Sequence, residues 1–138
     1  MNKQEDVKIM INDIIQRLAT FGYEVTDADE FALTFILQKT ENHIKNSCNI
    51  LLIPEGLHQI AVDMVCGYFL NEKKAVNIDS LKGFNLDSAI KSIQEGDTNI
   101  TFAIGEGSKT PEQRLDAFIT YLITYGEKDF VKYRCLTW

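Results

Sequence analysis

Apolar residues recur every three or four positions along the opening of the chain. Val7, Met10, Ile11, Ile14, Ile15 and Leu18 form a stripe that predicts a helix over about 6–20, and Gly22 supplies its stop. Thr26 is a favourable N-cap for a second helix over about 27–45, with Asp27, Asp29 and Glu30 in or beside the first turn, where carboxylates meet unpaired amides and the helix dipole. This helix carries Phe31, Phe35, Ile36 and Ile44, and it is expected to fray near Asn46, where Asn-Ser-Cys-Asn breaks the period. Pro54 reads as the first position of a third helix over about 54–73, because its missing amide costs nothing there. Leu57, Ile60, Ala61, Met64, Val65 and Tyr68 make its inward stripe, and Val62, Cys66, Phe69 and Leu70 add apolar residues on other faces. A helix apolar over most of its circumference has to be buried on most sides, in the core or against a neighbouring subunit.

Beyond Lys73 and Lys74 the pattern dissolves into turn formers and isolated apolar residues, so residues 76–85 are expected to be a loop, mobile or dependent on a partner. Ala89–Gln94 and Thr98–Ile104 flank Glu95-Gly96-Asp97, and Ile100, Phe102 and Ile104 alternate with Thr101 and Ala103. The alternation predicts a β-hairpin over about 89–104 with one apolar face. Because a lone hairpin is marginal in water, it would have to pack against helices or pair with another chain. Thr110-Pro111-Glu112-Gln113 is a strong start signal for a helix over about 111–125, with Leu115, Phe118, Ile119, Leu122 and Ile123 on its apolar face and Gly126 as a left-handed cap. The tail, 127–138, contains Phe130, Tyr133 and Trp138, an aromatic content foreign to a disordered terminus. The fold class expected is mainly α: one domain over 1–138, a small helical bundle with one β-hairpin and an aromatic C-terminal tail. That tail would cover either the domain's own core or another chain.

Composition narrows the classes of function. At 138 residues with 45% hydrophobic and 25% charged residues, the chain has the make-up of one ordinary globular domain able to bury a core without staples. Cys48, Cys66 and Cys135 are odd in number, widely spaced and without a CxxC pair, which argues against a disulfide framework or a thiolate zinc site and for reduced thiols in the cytosol. No apolar run approaches the ~20 residues of a membrane span, and MNKQEDVK is unlike a signal peptide. A net charge of −6 repels phosphate backbones and disfavours sequence-specific DNA binding, although it also serves simple solubility.

Candidate chemistry is sparse. His43 and His58 each lack a second His or Cys at i+3 or i+4, so neither forms a metal-binding pair. Cys66, inside the most apolar helix, should be a packing residue with its thiol pushed up by burial. Gly105-Glu106-Gly107-Ser108-Lys109-Thr110 lacks the spacing of a phosphate loop, and Glu106 would repel a phosphate. Glu112 with Asp116, and Asp27 with Glu30, have the spacing of acid–base pairs, but helix-start carboxylates explain both more cheaply. No triad, dinucleotide fingerprint or nucleophile elbow is present, so no catalytic residue, cofactor or metal is expected.

Three features carry a resemblance: Ser92-Ile-Gln-Glu-Gly-Asp97, the helix start Thr110-Pro-Glu-Gln-Arg-Leu115, and the closing Tyr133-Arg134 with Trp138, set in an order of three amphipathic helices, a hairpin-like segment and a capped helix. From about Gly22 to Trp138 the chain resembles the head-tail connector, or head completion, proteins of tailed bacteriophages, of the type found in clostridial prophages. The match is one of pattern and order, without a catalytic motif. The resemblance implies a homo-oligomeric ring, commonly a dodecamer, made in the bacterial host cytoplasm and lodged in the neck of the virion, between the portal protein and a downstream tail or neck protein. DNA would pass through its lumen without specific binding, and no membrane is involved. The resemblance also implies interface roles for Ile93, Ile100, Phe102, Tyr133 and Trp138. The alternative from the residues alone is a small regulatory or adaptor domain that binds another protein as a monomer or two-fold dimer.

Overall fold

The computed structural model describes residues 3–76, 81, 86, 89 and 110–134. Helix accounts for 84% of these residues, in the order α1 (Lys3–Thr20), α2 (Asp27–Cys48), a 3-10 turn (Glu55–Leu57), α3 (His58–Val76), α4 (Pro111–Thr124), a second 3-10 turn (Glu127–Asp129) and the short α5 (Phe130–Tyr133). The expected mixture of bundle and hairpin is therefore corrected, because no β-strand occurs among the described residues. Ala89, where the hairpin was to open, is helical and fully buried. The rest of that span, 90–104, lies outside the described residues.

Several helix boundaries have a local cause. α1 ends in a Schellman motif: the Tyr23 N–H donates to the Leu18 carbonyl at 2.9 Å, the Gly22 N–H donates to Ala19 at 3.0 Å, and Gly22 takes φ 94°, a value that side-chain-bearing residues rarely adopt. α2 runs past Asn46 to Cys48 and stops at Asn49, whose φ of 55° puts the Ile50 N–H within 3.0 Å of the Lys45 carbonyl. Asn tolerates this conformation better than other side-chain-bearing residues, so the break comes three residues later than the broken apolar period suggested. Pro54 is extended, with ψ 154°, and precedes the 3-10 turn instead of opening α3. At α4 the capping box is present: Thr110 Oγ1 accepts from the Gln113 N–H at 3.2 Å, and Gln113 Oε1 accepts from the Thr110 N–H at 3.0 Å.

α3 is the post around which α1, α2 and α4 pack. Ile60 through Gly67, Phe69 and Leu70 are all buried, as its apolar circumference requires. Gly67 sets the closest approach of α4, since a Cβ there would lie 2.8 Å from Ile123 Cγ1, 3.0 Å from Leu122 Cβ and 3.3 Å from the Ile119 carbonyl. The larger core cluster joins Ile14, Leu18, Leu33, Leu37, Phe69 and Phe118 across the four long helices. Leu81 is buried in it too, so the expected loop 76–85 holds at least one core residue. Two edge-on aromatic pairs lock the cluster, Phe21 on Phe118 at 5.3 Å and Tyr23 on Phe69 at 5.4 Å.

A second cluster gathers Ile44, Cys48, Leu57, Ile60, Met64 and Phe130 where α2 ends and α5 folds back. The start of the tail thus covers the domain's own core. Gly126 does not act as a left-handed cap, because its φ is −84°. It is small for a different reason: a Cβ there would come within 2.2 Å of Ile60 Cγ2.

The core face of α2 is Leu33, Ile36, Leu37 and Ile44, while Phe31 and Phe35, expected on the same stripe, point outward. Thr40, also on the inner face, is buried with a hydroxyl that has no partner among the described residues.

Two substitutions test this packing by denaturant unfolding. Gly67→Val should destabilise by about 1–3 kcal/mol through overpacking between α3 and α4. Thr40→Val, which removes an unpaired buried hydroxyl while keeping the shape, should stabilise by about 1 kcal/mol.

Candidate functional site

A polar cleft lies between α1 and α3. Asp13, Gln16, Arg17 and Thr20 recur at helical spacing on α1, and His58, Gln59, Val62 and Asp63 do so on α3, so the two stripes face each other across an open cleft of about 440 Å³. Asp63 is its buried charged member. Arg17 Nε donates to Asp63 Oδ1 at 2.8 Å, and the Tyr125 hydroxyl donates to Oδ2 at 2.6 Å, so one carboxylate ties α1, α3 and the end of α4 together. At the mouth, His58 Nε2 pairs with Asp13 Oδ2 at 2.8 Å. The Arg17 guanidinium also sits 5.0 Å from the centre of the Phe21 ring.

This arrangement suits cohesion better than proton transfer. Burial pushes Tyr125 well up, and the Asp63 carboxylate beside it pushes it further, so the phenol keeps its proton and remains a donor. Burial, reinforced by Asp63, likewise holds the Cys66 thiol well above its ordinary value, which makes it an inert packing residue as the sequence suggests. The sequence signal for the cleft was a single aspartate inside the apolar run of α3, a position at which an ionised group requires partners.

A second buried carboxylate, Asp29, sits at the start of α2. It accepts from the Tyr23 hydroxyl at 2.8 Å and from the Thr26 N–H and hydroxyl, each at 3.1 Å, while Lys73 Nζ reaches its other oxygen at 2.7 Å from the far end of α3. Burial alone would raise its pKa, but the Lys73 ammonium and these hydrogen bonds outweigh that and hold it below the usual carboxylate value. Of the acid–base pairs weighed in the sequence, Glu112 and Asp116 both face Lys74, the former at 3.7 Å, and Asp27 and Glu30 lie exposed. His43 stands 3.7 Å from Glu127 and edge-on to Phe130. Among the described residues no cluster of three or more His, Cys, Asp or Glu could hold a metal ion, and no described helix is long and apolar enough to cross a membrane.

What the surface offers instead is apolar. Phe31 is 83% exposed and Phe35 55%, one turn apart on α2; at the other end of that helix Leu51 is 89% exposed, Leu52 80% and Val131 65%. Leu51 and Leu52 lie between Ile50 and Ile53, which pack against the same cluster as Phe130, so Val131 belongs to their end of the bundle. Single exposed apolar residues are ordinary, but aromatic and aliphatic groups collected at two ends of one helix are the marks of interaction surfaces. Of the interface residues expected, Tyr133 is half-buried on the second cluster with its hydroxyl set against Gly56, where a Cβ would lie 1.8 Å away. Ile93, Ile100, Phe102 and Trp138 lie outside the described residues. Sequence reasoning missed Phe31 and Phe35 as surface residues, although their offset from Leu33 and Leu37 by half a turn was the available signal. No protein-family model, curated protein or solved structure matches this chain.

Asp29→Asn should destabilise by about 2–3 kcal/mol at neutral pH, because it leaves Lys73 without its counter-charge. The folded-state pKa is depressed, so the stabilisation is present above the unfolded value of about 3.9 and fades as pH falls through the lower folded value. In unfolding curves measured at successive pH values, the gap between the parent and Asp29→Asn should stay constant from neutrality down to about pH 5 and narrow below about pH 4.

Proposed function

We propose that this protein is a structural assembly subunit, and specifically a head-tail connector of a phage virion: a ring component between portal and tail that passes DNA without holding it. The observation that carries the reading is the exposure of Phe31, Phe35, Leu51, Leu52 and Val131 at the two ends of α2, surface that a partner would cover. Two further features agree with it. The buried carboxylates Asp29 and Asp63 are committed to partners in cross-ties, and the net charge of −6 suits a lumen that repels a phosphate backbone. The resemblance of the helix start at Thr110 and of the closing Tyr133-Arg134 to the connector proteins supplies the specific identity.

Electron microscopy of the protein mixed with the portal encoded in the same genome tests this. A closed ring of subunits beneath the portal is expected. A protein that stays free of portal and never forms a ring would contradict the reading and favour a protein-binding regulator.

A further inference from the structure

The cleft between α1 and α3 holds charged groups whose hydrogen-bonding capacity the fold uses only in part. The Arg17 guanidinium is fixed on two sides, by the 2.8 Å bond from its Nε to Asp63 and by the Phe21 ring, whose centre lies 5.0 Å away. Of the five N–H donors of a guanidinium, this leaves the four on Nη1 and Nη2 without a partner among the described residues. Asp13 is used in the same partial way: Oδ2 takes His58 Nε2 at 2.8 Å, and Oδ1 has no partner among the described residues. Both side chains line the cleft and are partly exposed. Its volume of about 440 Å³ falls in the usual ~300–1,000 Å³ of small-molecule sites.

The charges decide what fits. Arg17 and Asp63 neutralise each other, so with Asp13 beside them the cleft lacks the positive excess that an isolated anion needs. An isolated cation would meet the Arg17 guanidinium, and among the described residues no group of three metal-ligating side chains is present. A ligand carrying both charges has a counterpart for each. We infer that the cleft binds a free α-amino acid, with its ammonium on Asp13 Oδ1 and its carboxylate on the Arg17 Nη groups. Asp13 and Arg17 stand four residues apart on one face of α1, with Cβ atoms about 5–6 Å apart. The ammonium nitrogen and carboxylate carbon of an α-amino acid are about 2.5 Å apart, so hydrogen bonds of about 2.8 Å at each end reach both side chains. Gln16 and Gln59, one from each helix, add carboxamides to the same lining, which favours an uncharged ligand side chain that donates and accepts hydrogen bonds. Binding here does not depend on how the protein assembles, and either can fail without the other.

Heteronuclear NMR titration of the full-length protein with L-glutamine and with L-serine tests this. Saturable shifts are expected at the amides of residues 13–20 and 58–63, with a Kd on the order of millimolar, as suits a ligand of about ten heavy atoms in an open cleft. Two analogues separate the ends of the ligand. N-acetyl-L-glutamine lacks the ammonium and L-glutamine α-amide lacks the carboxylate, and each should bind at least about tenfold more weakly. Asp13→Asn keeps an acceptor for His58 and removes only the charge, so its spectrum away from the cleft should match the parent's while L-glutamine binds at least about tenfold more weakly. The absence of saturable shifts with both amino acids would overturn the inference. So would shifts that the N-acetyl compound or the α-amide reproduces at equal concentration, or an Asp13→Asn variant that is folded and binds like the parent.

Discussion

A helix that is apolar on nearly every face cannot exist at the edge of a domain, and α3 is such a helix: the residues from Ile60 to Gly67, with Phe69 and Leu70, are all buried. The arrangement of the other long helices follows from covering it. α1 and α2 take two of its sides, and α4 takes a third, at a separation set by Gly67. Below them, the chain reverses after α4 so that Phe130 and Tyr133 close the end where Ile60 and Met64 would otherwise meet water.

Within that apolar frame, two ionised groups fix relative positions that packing alone would leave loose. Asp63 is held by Arg17 from α1 and Tyr125 from the end of α4, and Asp29 by Lys73 from the end of α3. Buried carboxylates of this kind add little net stability compared with well-packed hydrocarbon, but an arrangement that leaves them unpaired costs several kcal/mol. A shift in helix register would separate both carboxylates from these partners. Each carboxylate oxygen of Asp63 and Asp29 already accepts a donor from the protein's own fold. Among the described residues the exposed large apolar groups are Ile9, Phe31, Phe35, Leu51, Leu52, Val76 and Val131, most of them toward the two ends of α2.

Much of this was legible in the sequence. The helical periods from Val7 to Leu18 and from Leu57 to Leu70, the Gly22 stop and the Thr110 capping box are local signals, and the local structure obeys them. What was not legible depended on distant partners or on choosing between two local readings. Gly126 reads equally as a left-handed cap or as a site of close approach, and only Ile60, far away in sequence, decides for the second. The apolar residues of α2 fall on two faces, and counting them at helical spacing does not say which face is the core. Alternation after Ile100 suggested strands, yet the span opens at Ala89 in helix, buried against the main cluster. For the candidate surfaces, the aromatic composition of the tail drew attention to Tyr133, whose ring is committed to the second cluster, and away from Phe31 and Leu51.

The central proposal is that the exposed apolar groups at the two ends of α2 are surface that assembly covers. Hydrogen exchange followed by mass spectrometry at low and high protein concentration reads both ends at once. Peptides spanning 24–39 and 49–53 should gain protection with the same concentration dependence, while exchange within α3, already buried in the monomer, stays unchanged. Protection that rises at one end alone, or at neither, would contradict the account.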